Sequence, residues 1–229
     1  MAQHVDGISS MATRQILAEL AALYEQATGS RVAIRSMGGV EAARLVRAAE
    51  PTDVVILAAS AMEQLEGEGH ILPGTRSGFA RSAIAVAVRA GAERPDIDSE
   101  EAVMQALMAA RRICYSTGPS GDHLLRLLDR WGIAETASQR LLQAPPGVPV
   151  GAMVARGEAE LGLQQFSELL PVQGIEILGP LPPEIQATTV FTAGIAQTSA
   201  QPEKARALIG FLNSDQACEA KRRHGMEPA

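Results

Sequence analysis

Residues 4–60 read HVDGISSMATRQILAELAALYEQATGSRVAIRSMGGVEAARLVRAAEPTDVVILAAS, and their periodicity decides the fold class. His4 to Ile8 is expected as a strand, and Ser10 to Thr28 then places Leu17, Leu20, Leu23 and Tyr24 at helical spacing. Val32 to Arg35 predicts a second strand, Gly38-Gly39 a turn, and Val40 to Ala49 a second helix. Asp53 to Leu57 is apolar enough for a central strand, with a short helix over Ala61 to Glu66. Strand followed by helix, three times over, is the pattern of a mostly parallel α/β sheet.

Outward from this segment the alternation continues after a change of register at Gly78 to Ser82. Ile84 to Arg89 and Ile113 to Tyr115 are expected strands, and Glu100 to Ala110 and Gly121 to Trp131 are expected helices. A further unit spans Val148 to Leu163, and the apolar run Thr188 to Ile195 leads back toward the first series. The C-terminal QPEKARALIGFLNSDQACEAKRRHGMEPA opens a helix at Pro202 and Glu203, with an apolar stripe through Ala205, Leu208, Ile209 and Leu212. A break at Asn213-Ser214, a short helix and a stop at Gly225 follow. The expected division is a first lobe of 1–79 with 192–229 and a second of 80–191, joined by two crossovers. One continuous doubly wound domain is the alternative.

Composition bounds the function. The 229 residues are 46% hydrophobic, enough for two cores, and carry a net charge of −6 with both signs interspersed. No basic stripe tracks a phosphate backbone and aromatics make up only 3%, which argues against nucleic acid as a partner. The longest apolar runs, such as AIAVAV at 83–88, are too short to span a bilayer, so no membrane insertion is expected. Met1-Ala2-Gln3-His4-Val5 has neither the charged start nor the apolar run of a leader, which reads as a mature, exported chain or as a cytoplasmic one. Cys114 and Cys218 have no metal-ligand spacing and read as two unpaired thiols, or as a disulfide in an oxidising compartment. His4, His70, His123 and His224 are too scattered for a metal cluster, and the phosphate-loop, nucleophile-elbow and zinc-protease motifs are absent.

Three places combine a strand end, small residues and a helix start. The first is Ser9-Ser10, the second Met37-Gly38-Gly39, and the third the turn Ser116-Thr117-Gly118-Pro119-Ser120-Gly121. Each alone reads as an ordinary capped helix. Together they would set helix N-terminal N–H groups and neutral hydroxyls at the carboxyl edge of a sheet, which is where open α/β sheets bind ligands and where anions are favoured.

The order strand, Ser-Ser, helix; strand, Gly-Gly, helix; PTDVVILAAS at 51–60; and MVARGEAELGLQQFSEL at 153–169 resembles the molybdate-binding branch of the type 2 periplasmic-binding fold over essentially the whole chain. The C-terminal helices likewise resemble those of extracellular solute-binding proteins. The resemblance implies a small anion gripped in an interlobe cleft by hydroxyls and backbone amides, without metal or cofactor. It implicates Ser10, Gly39, the 117–121 turn and Gln165. Gly38-Gly39 stands where molybdate binders carry serines and Gln165 where they carry tyrosine, which points to a larger anion such as a polycarboxylate. Such a ligand calls for a guanidinium, and Arg81 is the best-placed candidate, ahead of Arg35 and Arg156. The segments SSMATRQ, SMGGVEAARLV, YSTGPSG and APPGVPVGAMVARGEAELGLQQ are similar to the aconitate isomerase branch of this fold. That resemblance implies an isomerase that shifts a proton; among the chain's own residues Tyr115, His123 and Glu41 are the acid/base candidates, and the expected compartment is the periplasm, with the cytoplasm as the alternative. The alternative is a non-catalytic receptor that hands molybdate or another oxyanion to a membrane transporter.

Overall fold

The computed structural model describes residues 4–229; residues 1–3 of the expected first lobe lie outside the described residues. In chain order the elements are β1 (His4–Ser10), a 3-10 turn (Met11–Thr13), α1 (Arg14–Thr28), β2 (Arg31–Met37), α2 (Gly39–Arg47), β3 (Val54–Ala58), α3 (Ala59–Gly67) and β4 (Ser77–Arg89). They continue with α4 (Glu100–Ala109), β5 (Ile113–Tyr115), α5 (Pro119–Arg130), α6 (Ala134–Ser138), β6 (Leu141–Gln143), α7 (Val150–Ala155), β7 (Leu161–Gln165) and α8 (Phe166–Leu169). β8 (Ile175–Pro180), β9 (Thr188–Ile195), α9 (Pro202–Leu212), α10 (Asp215–Arg223) and β10 (Glu227–Pro228) complete the chain. By internal contacts it divides into one unit ending at Ser82 and resuming at Thr189, and a second unit from Ala83 to Thr188.

In the first unit β1 lies between β2 and β3, both parallel to it, and β9 runs antiparallel along β3. Alternation along β3 sorts its side chains to two faces. Val54 and Ile56 join Leu17, Leu20, Leu208 and Leu212 of α1 and α9, whereas Val55 and Leu57 join Ala42, Val46, Met62 and Leu65 of α2 and α3. The apolar stripe read in the C-terminal helix is therefore the face that covers one side of this sheet. α1 ends where Gly29 takes φ +70° and its N–H reaches the Glu25 carbonyl at 2.8 Å, a left-handed cap that any Cβ would strain.

The second unit repeats the scheme around β5, which is flanked by β6 and β7, both parallel to it. The later residues of β4 pair antiparallel with β7 and with β8. Leu161 and Leu163 face α4 and α5, while Gly162 meets α7. A Cβ on Gly162 would fall 2.7 Å from both Val150 Cγ1 and Val154 Cγ2, so glycine is what lets α7 lie directly on the strand. Each sheet is thus a parallel trio with antiparallel strands beside it.

The register change expected at Gly78 to Ser82 occurs inside one strand. β4 runs for 13 residues without a loop: Ala80 and Arg81 pair with β10 in the first unit, and from Ile84 onward the strand belongs to the second. No helix is long and apolar enough to cross a membrane among the described residues.

Candidate anion site

Parallel strands in register deliver their ends to one edge. In the first unit Ser9 pairs with Ser36 and with Ile56, and Ser10 with Met37, so Ser9-Ser10 and Met37-Gly38-Gly39 emerge side by side. Ser9 is fully buried and its Oγ lies 2.7 Å from Ser36 Oγ. Ser36 was not singled out from sequence, because the pairing exists only once the register of β1 and β2 is known. Ser10 stands at the N-cap of the 3-10 turn in extended conformation (φ −76°, ψ 158°), yet its hydroxyl caps nothing. Its carbonyl accepts from Thr13 Oγ1 at 3.0 Å, while its own Oγ is buried without a hydrogen-bond partner among the described residues. A buried hydroxyl left unmatched costs on the order of 1–3 kcal/mol, a cost that a bound acceptor would remove.

Gly38 and Gly39 begin α2, and neither has a crowded neighbour or a positive φ; a Cβ at either would meet nothing within 4 Å. Local backbone geometry therefore does not require glycine here. Two bare backbone positions at the start of a nine-residue helix leave its N–H groups open to close approach.

In the second unit Tyr115 pairs with Leu163 of β7 and with Gln143 of β6, which brings the 116–121 turn beside the end of β7. Ser116 Oγ and Ser120 Oγ are 3.0 Å apart, and Gly118 N–H donates to Ser116 Oγ at 3.3 Å. Thr117 is exposed between them. Gly121 is present for packing: a Cβ there would overlap the Ser116 carbonyl oxygen outright and stand 3.0 Å from the Tyr115 ring. Pro119 at N1 fixes the start of α5. Gln165, 2% exposed, ends β7 at the same edge.

The remaining candidates occupy varied surroundings. Arg81 is exposed on β4, and its Nε donates to the Pro228 carbonyl at 3.0 Å. Arg35 pairs with Glu50 and Arg156 with Glu158. Glu41 is held by both Nε and Nη2 of Arg44, at 2.8 and 2.7 Å, and that hydrogen bonding lowers its carboxyl below the ordinary range. His123 Nε2 lies 2.6 Å from the Ile185 carbonyl, so that nitrogen carries the proton and donates it. Tyr115 is half-buried against the start of α5.

Burial pushes the Cys114 thiol up to about 11, its Sγ lies 3.6 Å from Met153 Sδ, and both cysteines are free. No group of three or more His, Cys, Asp or Glu side chains could hold a metal ion among the described residues. One ionisable group near this edge was not anticipated. Burial raises the Glu168 carboxyl to about 7, and no motif marks it in the sequence.

Residues 6–227 match the family described as bacterial extracellular solute-binding protein. The chain belongs to that family. Its fold is the type 2 periplasmic-binding fold, shared with the periplasmic molybdate-binding protein of Azotobacter vinelandii at a TM-score of 0.82 and 21% identity, over 99% of this chain and 100% of that one. A sulfate-binding protein of Mycobacterium tuberculosis superposes at 0.76 with 14% identity, over 99% and 87% of the two chains. In sequence, this solute-binding family member is 39% identical over 227 residues to a Pseudomonas protein named aconitate isomerase, covering 96% of this chain and 86% of that one.

Proposed function

We propose that this chain is an aconitate isomerase, binding the tricarboxylate with neutral donors and interconverting its trans and cis forms in the periplasm. The observation that carries this reading is the 39% identity to aconitate isomerase over nearly the whole chain. The donors at the strand ends of the first unit fit an anion: the unmatched Ser10 hydroxyl and the open N–H groups at Gly38-Gly39. Arg81 would supply a guanidinium through the nitrogens that its Pro228 bond leaves free.

The chemistry is an allylic proton shift. A base removes a proton from the methylene carbon beside the double bond, and the electron pair of that C–H bond becomes the new C=C. The old π bond takes a proton at the former vinylic carbon. Charge grows on carboxylates that are already negative, so N–H and O–H groups fixed before the reaction lower its barrier more than mobile water does. Of the three acid/base candidates, Glu41 is engaged by Arg44 and one nitrogen of His123 by Ile185. We assign the proton transfer to Tyr115, at the start of the 116–121 turn.

Incubation with trans-aconitate, followed by proton NMR of the mixture, tests the activity: the cis isomer is expected, and its absence overturns the reading. Tyr115→Phe is expected to lower kcat by 10²-fold or more with KM little changed, within the range of acid/base contributions. Undiminished turnover removes Tyr115 from the mechanism. The second reading, a receptor that delivers molybdate or another oxyanion to a membrane transporter, draws on the solute-binding family and the shared fold. It predicts a rise in Tm with molybdate and no conversion of aconitate.

A further inference from the structure

β4 meets β10 where Arg81 stands, and the charges around that meeting are paired in an unexpected way. The two strands run antiparallel, with Pro228 opposite Ala80 and Glu227 opposite Arg81. Directly opposed residues of an antiparallel pair carry their side chains on one face, about 5 Å apart at Cβ, so a carboxylate and a guanidinium placed there are expected to bond. They do not. Glu227 Oε2 lies 3.5 Å from Nε of Arg222 in α10, and Arg81 engages the Pro228 carbonyl through its own Nε at 3.0 Å. The two Nη nitrogens of Arg81 have no partner among the described residues.

β10 has only two residues, yet it is held at both ends. Before it, Met226 is 1% exposed and its N–H donates to the Lys221 carbonyl at 2.9 Å. After it, Ala229 lies against Gly78, where a Cβ would stand 3.0 Å from the Ala229 Cβ. Proline restricts φ at residue 228, which steadies the carbonyl that Arg81 uses. A guanidinium gripped by Nε presents its other two nitrogens as a fork, the pair that takes a carboxylate through two parallel bonds. The cations beside Arg222 are committed elsewhere: Arg223 and His224 bond Glu19 of α1, and Lys221 lies inside over the Phe79 ring. Among the described residues, Arg222 is the one that pairs with Glu227.

We propose that Arg222 is a positioning residue for the anion: it draws Glu227 aside and so leaves the Arg81 fork open to a carboxylate of the ligand. Without Arg222, Glu227 turns to the guanidinium opposite it in the strand pair. An internal carboxylate then stands where the ligand's would bind. Exposed ion pairs are weak, so the contest between the two arginines for Glu227 is close and one charge decides it. The effect on binding rests on the proposed function, in which Arg81 meets the anion; the choice of partner by Glu227 does not.

The experiment is a double-mutant cycle on the full chain, with trans-aconitate binding read by calorimetry. Arg222→Gln is expected to raise Kd about fivefold, and adding Glu227→Gln to return it to about the wild-type value. Glu227→Gln alone should change Kd by less than about twofold, because the carboxylate is already turned away. Charges acting at a distance add, whereas a contested contact does not. The gain from Glu227→Gln must therefore be larger in the Arg222→Gln background, and equal gains in both backgrounds overturn the proposal. Arg81→Ala should weaken binding about tenfold and abolish the coupling. A second readout needs no ligand: the side-chain ¹⁵N resonances of Arg81 should move in Arg222→Gln and return when Glu227→Gln is added. Resonances that stay in place in Arg222→Gln also overturn the proposal. If aconitate does not bind, or binds Arg81→Ala undiminished, the functional reading fails, and the Arg81 resonances still decide whether Arg222 holds Glu227 away.

Discussion

The carboxyl edges of the two units use the same residue types to opposite ends. In the first unit Gly38 and Gly39 have empty space where a Cβ would stand, and Ser10 has a buried hydroxyl with no hydrogen-bond partner among the described residues. In the second, a Cβ on Gly121 would overlap the Ser116 carbonyl oxygen, and Ser116 and Ser120 bond to each other. One edge is left open and the other is closed upon itself. A glycine or serine at a helix start is thus not evidence of a ligand until its space and its partners are known.

The largest expected effect breaks the closed edge. Gly121→Ala should destabilise the fold by about 3 kcal/mol or more, because the added methyl must displace backbone at the start of α5 rather than a flexible side chain. Gly39→Ala at the open edge should leave stability unchanged or raise it by about 0.4–1 kcal/mol, since its φ suits alanine and the unfolded chain loses freedom. Urea unfolding of the two variants measures the contrast. Equal destabilisation by both would erase the distinction between the edges.

Next in size is the pH dependence set by Glu168. Burial holds its folded pKa at about 7, above the unfolded value near 4.5, so the native state binds more protons between the two. Its neutral form costs nothing below the lower value, and stability is lost as pH climbs toward 7 and then levels off. The difference is at most on the order of 3 kcal/mol, less whatever water reaches the half-buried residue. Glu168→Gln should therefore match the wild type at pH 4 and exceed it at pH 8 in thermal unfolding. An advantage that does not grow with pH would mean the carboxyl is already hydrated.

These contrasts mark what was legible in the sequence. The strands Ile113 to Tyr115 and Thr188 to Ile195 were found to the residue, and the helices at Glu100 and Pro202 started where expected, because apolar spacing and Pro or Ser starts are local signals. β6, β8 and β10 escaped notice. The first is three residues and the last two, and β8 is half-buried from Ile175 to Gly179 and exposed at Pro180, so none displays alternation. Of β4 only Ile84 to Arg89 was expected as a strand, after a change of register at Gly78 to Ser82, because Ala80 and Arg81 pair with β10 and the later residues with β7 and β8. Within the site, the helix starts were visible as Ser-Ser, Gly-Gly and Ser-Thr-Gly. The Ser9–Ser36 pair and the buried carboxyl of Glu168 were not, since both depend on register and burial between segments distant in sequence.

The smallest stability effect, and the sharpest test of the open edge, is Ser10→Ala. Removing a hydroxyl that has no partner removes its desolvation cost, so stability should stay level or rise by about 1 kcal/mol. Ser9→Ala removes one half of a bonded pair and strands Ser36 Oγ, so it should cost about 1 kcal/mol. For the ligand the order reverses: Ser10→Ala should weaken trans-aconitate binding about tenfold or more, measured by calorimetry, and Ser9→Ala by less. If the Ser10 hydroxyl destabilises the empty protein and strengthens binding, its partner comes from the ligand. Should Ser10→Ala lower stability and leave binding intact, the hydroxyl serves the fold, and the first unit's edge is no more open than the second's.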